Sequence, residues 1–271
     1  VRTQSNEEPW WSRGHATVVE GPAGDWWMVY HGYENGFRTL GRQTLLDPVE
    51  WTADGWLRAK GGDLSRPLAK PGGGKASVSG YALSGGFSAE RLGVQWCFHQ
   101  PGPKEMQRAV FNNGTLRLAA AGASPTDSSP LTCIVGERAY QAEVTLELED
   151  EGAEGGILLF YNHKAYVGLG FTADTVKTYQ YSEELPWARN PRATRKVRVR
   201  LTSDSNIITY EYSHDDGRTW TLHGTRMEVS GIHHNVFGGF LSLRVGLYST
   251  GAGAVKFSDF SYRAIKETSG K

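Results

Sequence analysis

Ser12-Arg13-Gly14-His15-Ala16-Thr17-Val18-Val19-Glu20-Gly21-Pro22 runs into Asp25-Trp26-Trp27-Met28-Val29-Tyr30-His31. Thr39-Leu40-Gly41-Arg42-Gln43-Thr44-Leu45-Leu46, Pro48-Val49-Glu50-Trp51 and Asp54-Gly55-Trp56 follow. Each run is short and apolar and is bounded by Gly, Pro, Asp or Asn, the pattern of antiparallel strands joined by tight turns. Three or four strands make one sheet, which cannot cover both of its faces alone. A sheet this rich in Trp needs neighbours.

After this sheet the chain changes character. Lys60-Gly61-Gly62-Asp63 through Pro71-Gly72-Gly73-Gly74-Lys75 is rich in Gly, Pro and Lys and reads as a linker or ordered crossover. It divides the chain into residues 1–75 and 76–271.

From Phe87 onward strand signals recur at short intervals. They include Gly93-Val94-Gln95-Trp96-Cys97-Phe98, Thr115-Leu116-Arg117-Leu118 and the alternating Tyr140-Gln141-Ala142-Glu143-Val144-Thr145-Leu146-Glu147-Leu148. Gly156-Ile157-Leu158-Leu159-Phe160-Tyr161 is nearly all apolar and should be central. Lys196–Leu201, Ile207–Ser213, Gly239–Leu247 and Ala254–Tyr262 complete the set. Many short strands without helical periodicity predict an all-β protein whose second part is a two-sheet sandwich. Asn113-Gly114 reads as a hairpin turn, although Asn113-Gly114-Thr115 is also a formal glycosylation sequon.

Composition narrows the function classes. The 271 residues carry 29 basic and 29 acidic side chains, and zero net charge argues against nucleic acid or an anionic membrane as the main partner. No stretch approaches 18 apolar residues, so no transmembrane helix is expected, and residues 1–8 lack the apolar core of a signal peptide. Localisation is left open. Cys97 and Cys133, both in apolar strand contexts, read as buried free thiols, with a disulfide as the alternative. Ser213-His214-Asp215-Asp216-Gly217-Arg218-Thr219-Trp220 fits an Asp-box, read as a folding element in which Asp and Gly shape a turn over the Trp.

The opening run resembles the last blade of the five-bladed propeller of glycoside hydrolase family 43. The carrying features are Gly14-His15 entering the blade, Trp26-Trp27, and Leu40-Gly41-Arg42-Gln43-Thr44 before Pro48-Val49-Glu50-Trp51. The later order Gly93-Val94-Gln95-Trp96, Gly155-Gly156-Ile157-Leu158, Gly238-Gly239-Phe240 and Phe257-Ser258-Asp259-Phe260-Ser261-Tyr262 resembles the concanavalin-like sandwich of that family's β-xylosidases. The resemblance implies the C-terminal portion of an inverting, exo-acting β-xylosidase or α-L-arabinofuranosidase. Its partner would be an N-terminal propeller fragment carrying the catalytic Asp, Asp and Glu. The substrates implied are xylo- or arabino-oligosaccharides of the xylan type. No organic cofactor is implied.

Site residues follow from the same resemblance. His15 is implied to face the propeller axis near the pocket, and to meet a calcium ion there directly or through water. One imidazole is a weak calcium signal, because calcium prefers oxygen ligands; the alternative is a His hydrogen-bonded across blades. Arg42 is implied to reach the sugar or a catalytic carboxylate, a role its donor fork suits; the alternative is an Arg bridging blades. Gly231-Ile232-His233-His234-Asn235-Val236-Phe237-Gly238-Gly239 reads as the sandwich loop that closes the pocket. The resemblance implies that Phe237 reaches the sugar, and a sugar site also needs fixed donors for the hydroxyls, which His234 and Asn235 supply. The alternative seats Phe237 in the sandwich core. A zinc site at His233 and His234 is disfavoured, since neighbours on a strand point apart.

Hydrolysis of a glycosidic bond takes two carboxyl groups flanking it. Glu20, Glu34, Asp47 and Glu50 match no catalytic motif of the family, so no catalytic acid or base is expected in this chain. The competing function is a non-catalytic carbohydrate-binding sandwich using exposed aromatics such as Tyr181 and Trp187. A complete blade bearing His15 and Arg42 favours the enzyme portion.

Overall fold

The computed structural model describes residues 7–61, 66, 68–69, 71–72, 82–85, 87–88, 91–191 and 194–268. The chain divides into two compact units, residues 1–80 and 81–271. The expected boundary at residue 75, with Gly73 and Gly74 before it, lies outside the described residues.

The first unit is a four-stranded antiparallel meander: β1 (Trp10–Glu20), β2 (Trp26–Glu34), β3 (Arg42–Trp51) and β4 (Leu57–Ala59), paired in that order. The register of β1 against β2 breaks twice, between Trp11 and Gly14 and between Gly14 and Thr17. Ser12 and His15 sit in these breaks with φ of 53° and 56°. Bulges bend a strand and re-aim its side chains, which strict alternation would not predict. On β2, Met28 and Tyr30 share one face; Tyr30 donates a 2.9 Å hydrogen bond to the fully buried Asp47 of β3. Leu40 was expected in the same strand as Arg42. It instead ends a 3-10 turn over Arg38–Leu40, and Gly41 at φ 73° breaks the chain before β3.

The second unit is a sandwich of two eight-stranded sheets. One runs Glu183–Glu184, Thr175–Gln180, Ala165–Phe171, Ala153–Asn162, Arg244–Gly251, Leu131–Cys133 and Trp96–Phe98, with Asn190–Pro191 added beside Thr175–Gln180. The other runs Thr221–Leu222, Ile207–Ser213, Lys196–Asp204, Ala139–Leu148, Ala254–Ala264, Thr115–Ala119 and Ala109–Asn112, with Met227–Glu228 added beside Ile207–Ser213. Ala153–Asn162 is buried at every position, as its apolar run foretold. Ile157, Leu159 and Tyr161 enter the core between the sheets, while Leu158 and Phe160 join Tyr166, Tyr179 and Tyr248 in a second buried cluster on the other face.

Local signals hold where a turn is short. Asn113 and Gly114 both take positive φ, 47° and 79°, between the paired Asn112 and Thr115, as a two-residue hairpin of this kind requires. In the Asp-box, Asp215 accepts from the Thr219 amide and hydroxyl at 2.9 and 2.6 Å, and Trp220 donates to the Gly217 carbonyl at 3.1 Å.

Two further expectations fail. The strand expected from Gly239 begins only at Arg244, because Gly238, Gly239 and Phe240 take φ of 71°, 81° and 53°. Cys97 is exposed, not buried; Trp96 and Phe98 point into the core and alternation turns Cys97 outward. Cys133 is buried, and both thiols are free.

Candidate functional site

In the first unit the structure brings His15, His31 and Arg42 together. Antiparallel pairing places Gly14 opposite His31, His31 opposite Thr44 and Tyr33 opposite Arg42. Paired residues share a face, so His31, Tyr33, Arg42 and Thr44 line one side of the sheet. The Arg42 guanidinium lies 5.9 Å from the centre of the Tyr33 ring. The rings of His15 and His31 are 6.4 Å apart, and His15 and Arg42 are both exposed.

His31 is the half-buried centre of this group. Burial, the Arg42 charge and His15 together hold its pKa below the ordinary histidine value. Its Nδ1 is enclosed with no hydrogen-bond partner among the described residues. A neutral imidazole beside an exposed guanidinium makes a surface of fixed polar groups, suited to hydroxyls or a carboxylate. His15 also lines, with Arg13, Met28, Tyr30 and Leu57, a cavity of about 290 Å³. Among the described residues no group of three or more His, Cys, Asp or Glu side chains converges as metal ligands. The neighbours of His15 are nitrogen bases and a cation, so the residues here do not by themselves fit calcium.

In the second unit the loop before Arg244 is built by its own polar groups. His233 caps a single helical turn, His234–Phe237, by accepting the Asn235 amide at Nδ1, 3.2 Å away. His234 stacks on Phe240 with ring centroids 3.6 Å apart and accepts the Phe240 amide at Nδ1, 3.1 Å away. The two histidines are therefore hydrogen-bonding loop organisers: His233 caps the turn with extended backbone and His234 opens it, so they do not follow one another along a strand. Tyr161 donates to the Gly238 carbonyl and accepts the Leu241 amide at 3.3 Å, tying the loop to the sandwich.

The two aromatics of the loop divide. Phe237 is partly buried against the core, with its ring 6.3 Å from that of Tyr161. Phe240 is 56% exposed at the tip, next to exposed Asn235 and Val236. Sequence reasoning passed over His31 and Phe240. The β2–β3 register would have drawn attention to His31; no local signal marks Phe240, whose exposure depends on its positive φ.

Residues 1–57 match Glycosyl hydrolases family 43, and residues 84–264 match the Beta xylosidase C-terminal Concanavalin A-like domain. The chain belongs to glycosyl hydrolase family 43. This family 43 chain is 26% identical over 282 residues to the non-reducing end alpha-L-arabinofuranosidase BoGH43B of Bacteroides ovatus, spanning 96% of this chain and 52% of that protein. Its structure is similar to that of the GH43 BlXynB protein from Bacillus licheniformis, with a TM-score of 0.84 at 21% identity, over 97% of this chain and 55% of that one. It is also similar to xylan beta-1,4-xylosidase from Bacillus halodurans C-125, with a TM-score of 0.82 at 21% identity, over 95% and 54%. At such identities the structural likeness shows the fold: the final blade of a propeller followed by a concanavalin-like sandwich. The chain spans about half the length of the relatives it matches.

Proposed function

We propose that this family 43 chain is the C-terminal portion of an inverting, exo-acting glycosidase that releases xylose, arabinofuranose or both from xylan-type oligosaccharides. The catalytic carboxylates belong to an N-terminal propeller piece. The observation that carries the reading is the shared face of His31 and Arg42 beside His15, within the residues that match the family. A binding module has no use for that face. Arg42 supplies a charged donor fork to sugar hydroxyls or to a carboxylate, and the depressed pKa of His31 keeps its imidazole neutral beside it.

His15 contacts sugar in this reading. A calcium ion met by His15, directly or through water, would draw its oxygen ligands from outside this chain and would fix and polarise groups at that position when bound. In the sandwich loop, His234 and Asn235 are the polar candidates for sugar contact. Phe237 was expected as the aromatic one, and the exposure of Phe240 favours Phe240 in that role.

The test is to assay the whole protein on aryl β-D-xylosides and aryl α-L-arabinofuranosides and to follow the anomer released. Release with inversion that falls in Arg42→Ala supports the reading. A protein that releases neither sugar, yet binds xylan, would establish the binding-module alternative.

A further inference from the structure

The sandwich holds a cavity of about 260 Å³, mostly apolar but carrying a few polar groups, beside the edge strand Trp96–Phe98. Its walls include Cys97, His99, Thr132, Phe160, Tyr161 and Arg244. Arg244 donates from Nη1 to the Cys97 Sγ at 3.1 Å, and the same sulfur lies 3.5 Å from the Thr132 hydroxyl. One nitrogen of the guanidinium is thus engaged by a weak acceptor. The Nε side is not: Arg244 Nε and His99 Nε2 are both enclosed with no hydrogen-bond partner among the described residues. Two unsatisfied polar groups in the lining of one cavity are unusual, because buried donors and acceptors nearly always find partners.

The lining has a definite chemical bias. Arg244 is its formal charge, and no acidic side chain lines the cavity among the described residues. His99 is held edge-on against the Phe160 ring, with centroids 4.9 Å apart. Burial, His163 and Arg244 lower its pKa, so at neutral pH it offers an uncharged ring nitrogen. The Nε–Nη2 edge of a guanidinium is one that grips a carboxylate through two parallel bonds, and it is the edge the thiol does not engage. The volume lies just below the usual range for ligand pockets and suits one sugar ring better than a chain.

We propose that this cavity binds a single carboxylate-bearing sugar ring, a hexuronate, through Arg244 and His99. The carboxylate takes the Nε–Nη2 edge, and the ring lies by the aromatic wall with His99 on a hydroxyl. Arg244 Nε and His99 Nε2 are both covered in the present arrangement, so engagement turns the guanidinium away from the thiol and the imidazole towards the ring. Binding then removes the cation from Cys97 and fills the space in front of it.

Cys97 makes the proposal measurable. Cys133 is buried, with its thiol pushed up to about 12, so iodoacetamide should label Cys97 alone in the native protein. Glucuronate should slow that alkylation severalfold, with xylose and acetate leaving the rate unchanged. In Arg244→Gln the protection should vanish, and Arg244→Lys should keep part of it. No protection by glucuronate in the wild-type chain overturns the proposal, whether or not the variants fold. Equal protection by xylose overturns the carboxylate assignment, and equal protection by acetate overturns the sugar ring. Because aryl-glycoside hydrolysis plays no part in this readout, its outcome is independent of the proposed glycosidase activity.

Discussion

His15 and His31 stand with ring centroids 6.4 Å apart and planes tilted by 36°, across the bulged pairing of β1 and β2. His31 also feels the Arg42 charge, which with burial and His15 lowers its pKa. A histidine whose folded pKa is depressed resists protonation that the unfolded chain accepts. The unfolded chain therefore binds more protons below the ordinary value of 6.5, and the blade loses stability as pH falls through that region. Arg42→Ala removes one cause, so the His31 pKa should rise towards its ordinary value, as followed by NMR titration of the ring protons. The same substitution should lower kcat/KM on aryl xylosides or arabinosides by about ten- to a hundredfold, equivalent to losing one charge-assisted hydrogen bond of roughly 1.5–3 kcal/mol. An unmoved His31 would contradict the electrostatic coupling, and unchanged kinetics would remove Arg42 from the sugar site.

His15 itself occupies a strained position, φ 56° in a bulge. Left-handed backbone is tolerated by His and costs a β-branched residue more. In calcium-free buffer His15→Val should therefore lower stability by roughly 1–2 kcal/mol, whereas His15→Gly should not, as read by thermal melting. The same residue tests the calcium proposal. Chelation of the whole enzyme should reduce turnover and Tm, calcium should restore both, and His15→Gly should blunt the response. Indifference of the wild type to both steps would exclude a functional calcium at His15.

How legible was this in the sequence? The Asn113-Gly114 turn and the Asp-box hairpin are local patterns, and the structure realises them directly. The alternation of Tyr140–Leu148 sends Tyr140, Ala142, Val144, Leu146 and Leu148 into the core, but the opposite face is not the wet one it implied, because Glu143 and Thr145 are buried there as well. The Trp-rich opening declared a sheet because its turns are marked by Gly, Pro and Asp. The bulges at Ser12 and His15 were hidden, since a bulge exists only in the register between two strands. Cys97 was misread by composition, although period-two alternation between Trp96 and Phe98 would have turned it outward. Phe237 was singled out for preceding a glycine-rich strand; the glycines instead reverse the chain and place Phe240 at the tip.

The loop aromatics give a paired prediction. Phe237 packs on the sandwich core, so Phe237→Ala should destabilise that unit by roughly 2–3 kcal/mol, below the full cost of deleting a wholly buried Phe. Phe240 is exposed and stacked on His234, so Phe240→Ala should leave the melting temperature nearly unchanged. If the loop contacts sugar, Phe240→Ala should raise KM for the terminal sugar, with kcat less affected. A KM effect in Phe237→Ala at full stability, with none in Phe240→Ala, would reverse the assignment.

The sandwich also predicts its own alkaline limit. Glu154 accepts hydrogen bonds from the Tyr179 and Tyr248 hydroxyls at 2.6 and 2.7 Å and pairs with Lys177 at 2.6 Å. Burial and the Glu154 charge raise both tyrosines far above the ordinary value of 10.0, and burial, opposed by a Thr126 hydrogen bond, pushes Tyr166 up to about 12. Above pH 10 the unfolded chain releases phenol protons that the folded chain retains. The native state then binds more protons, and stability falls as pH rises. Tyrosinate absorbance of the native protein should stay low past pH 10 and then appear together with unfolding seen by circular dichroism. Smooth ionisation of these tyrosines near pH 10 without unfolding would contradict their burial. At neutral pH, Glu154→Ala should cost roughly 3 kcal/mol, because it strands two buried hydroxyls and leaves the half-buried Lys177 ammonium only its longer pair with Glu184, at 3.7 Å. Urea titration of the variant measures that loss directly, and a wild-type midpoint would show that the network contributes nothing to holding the sheet.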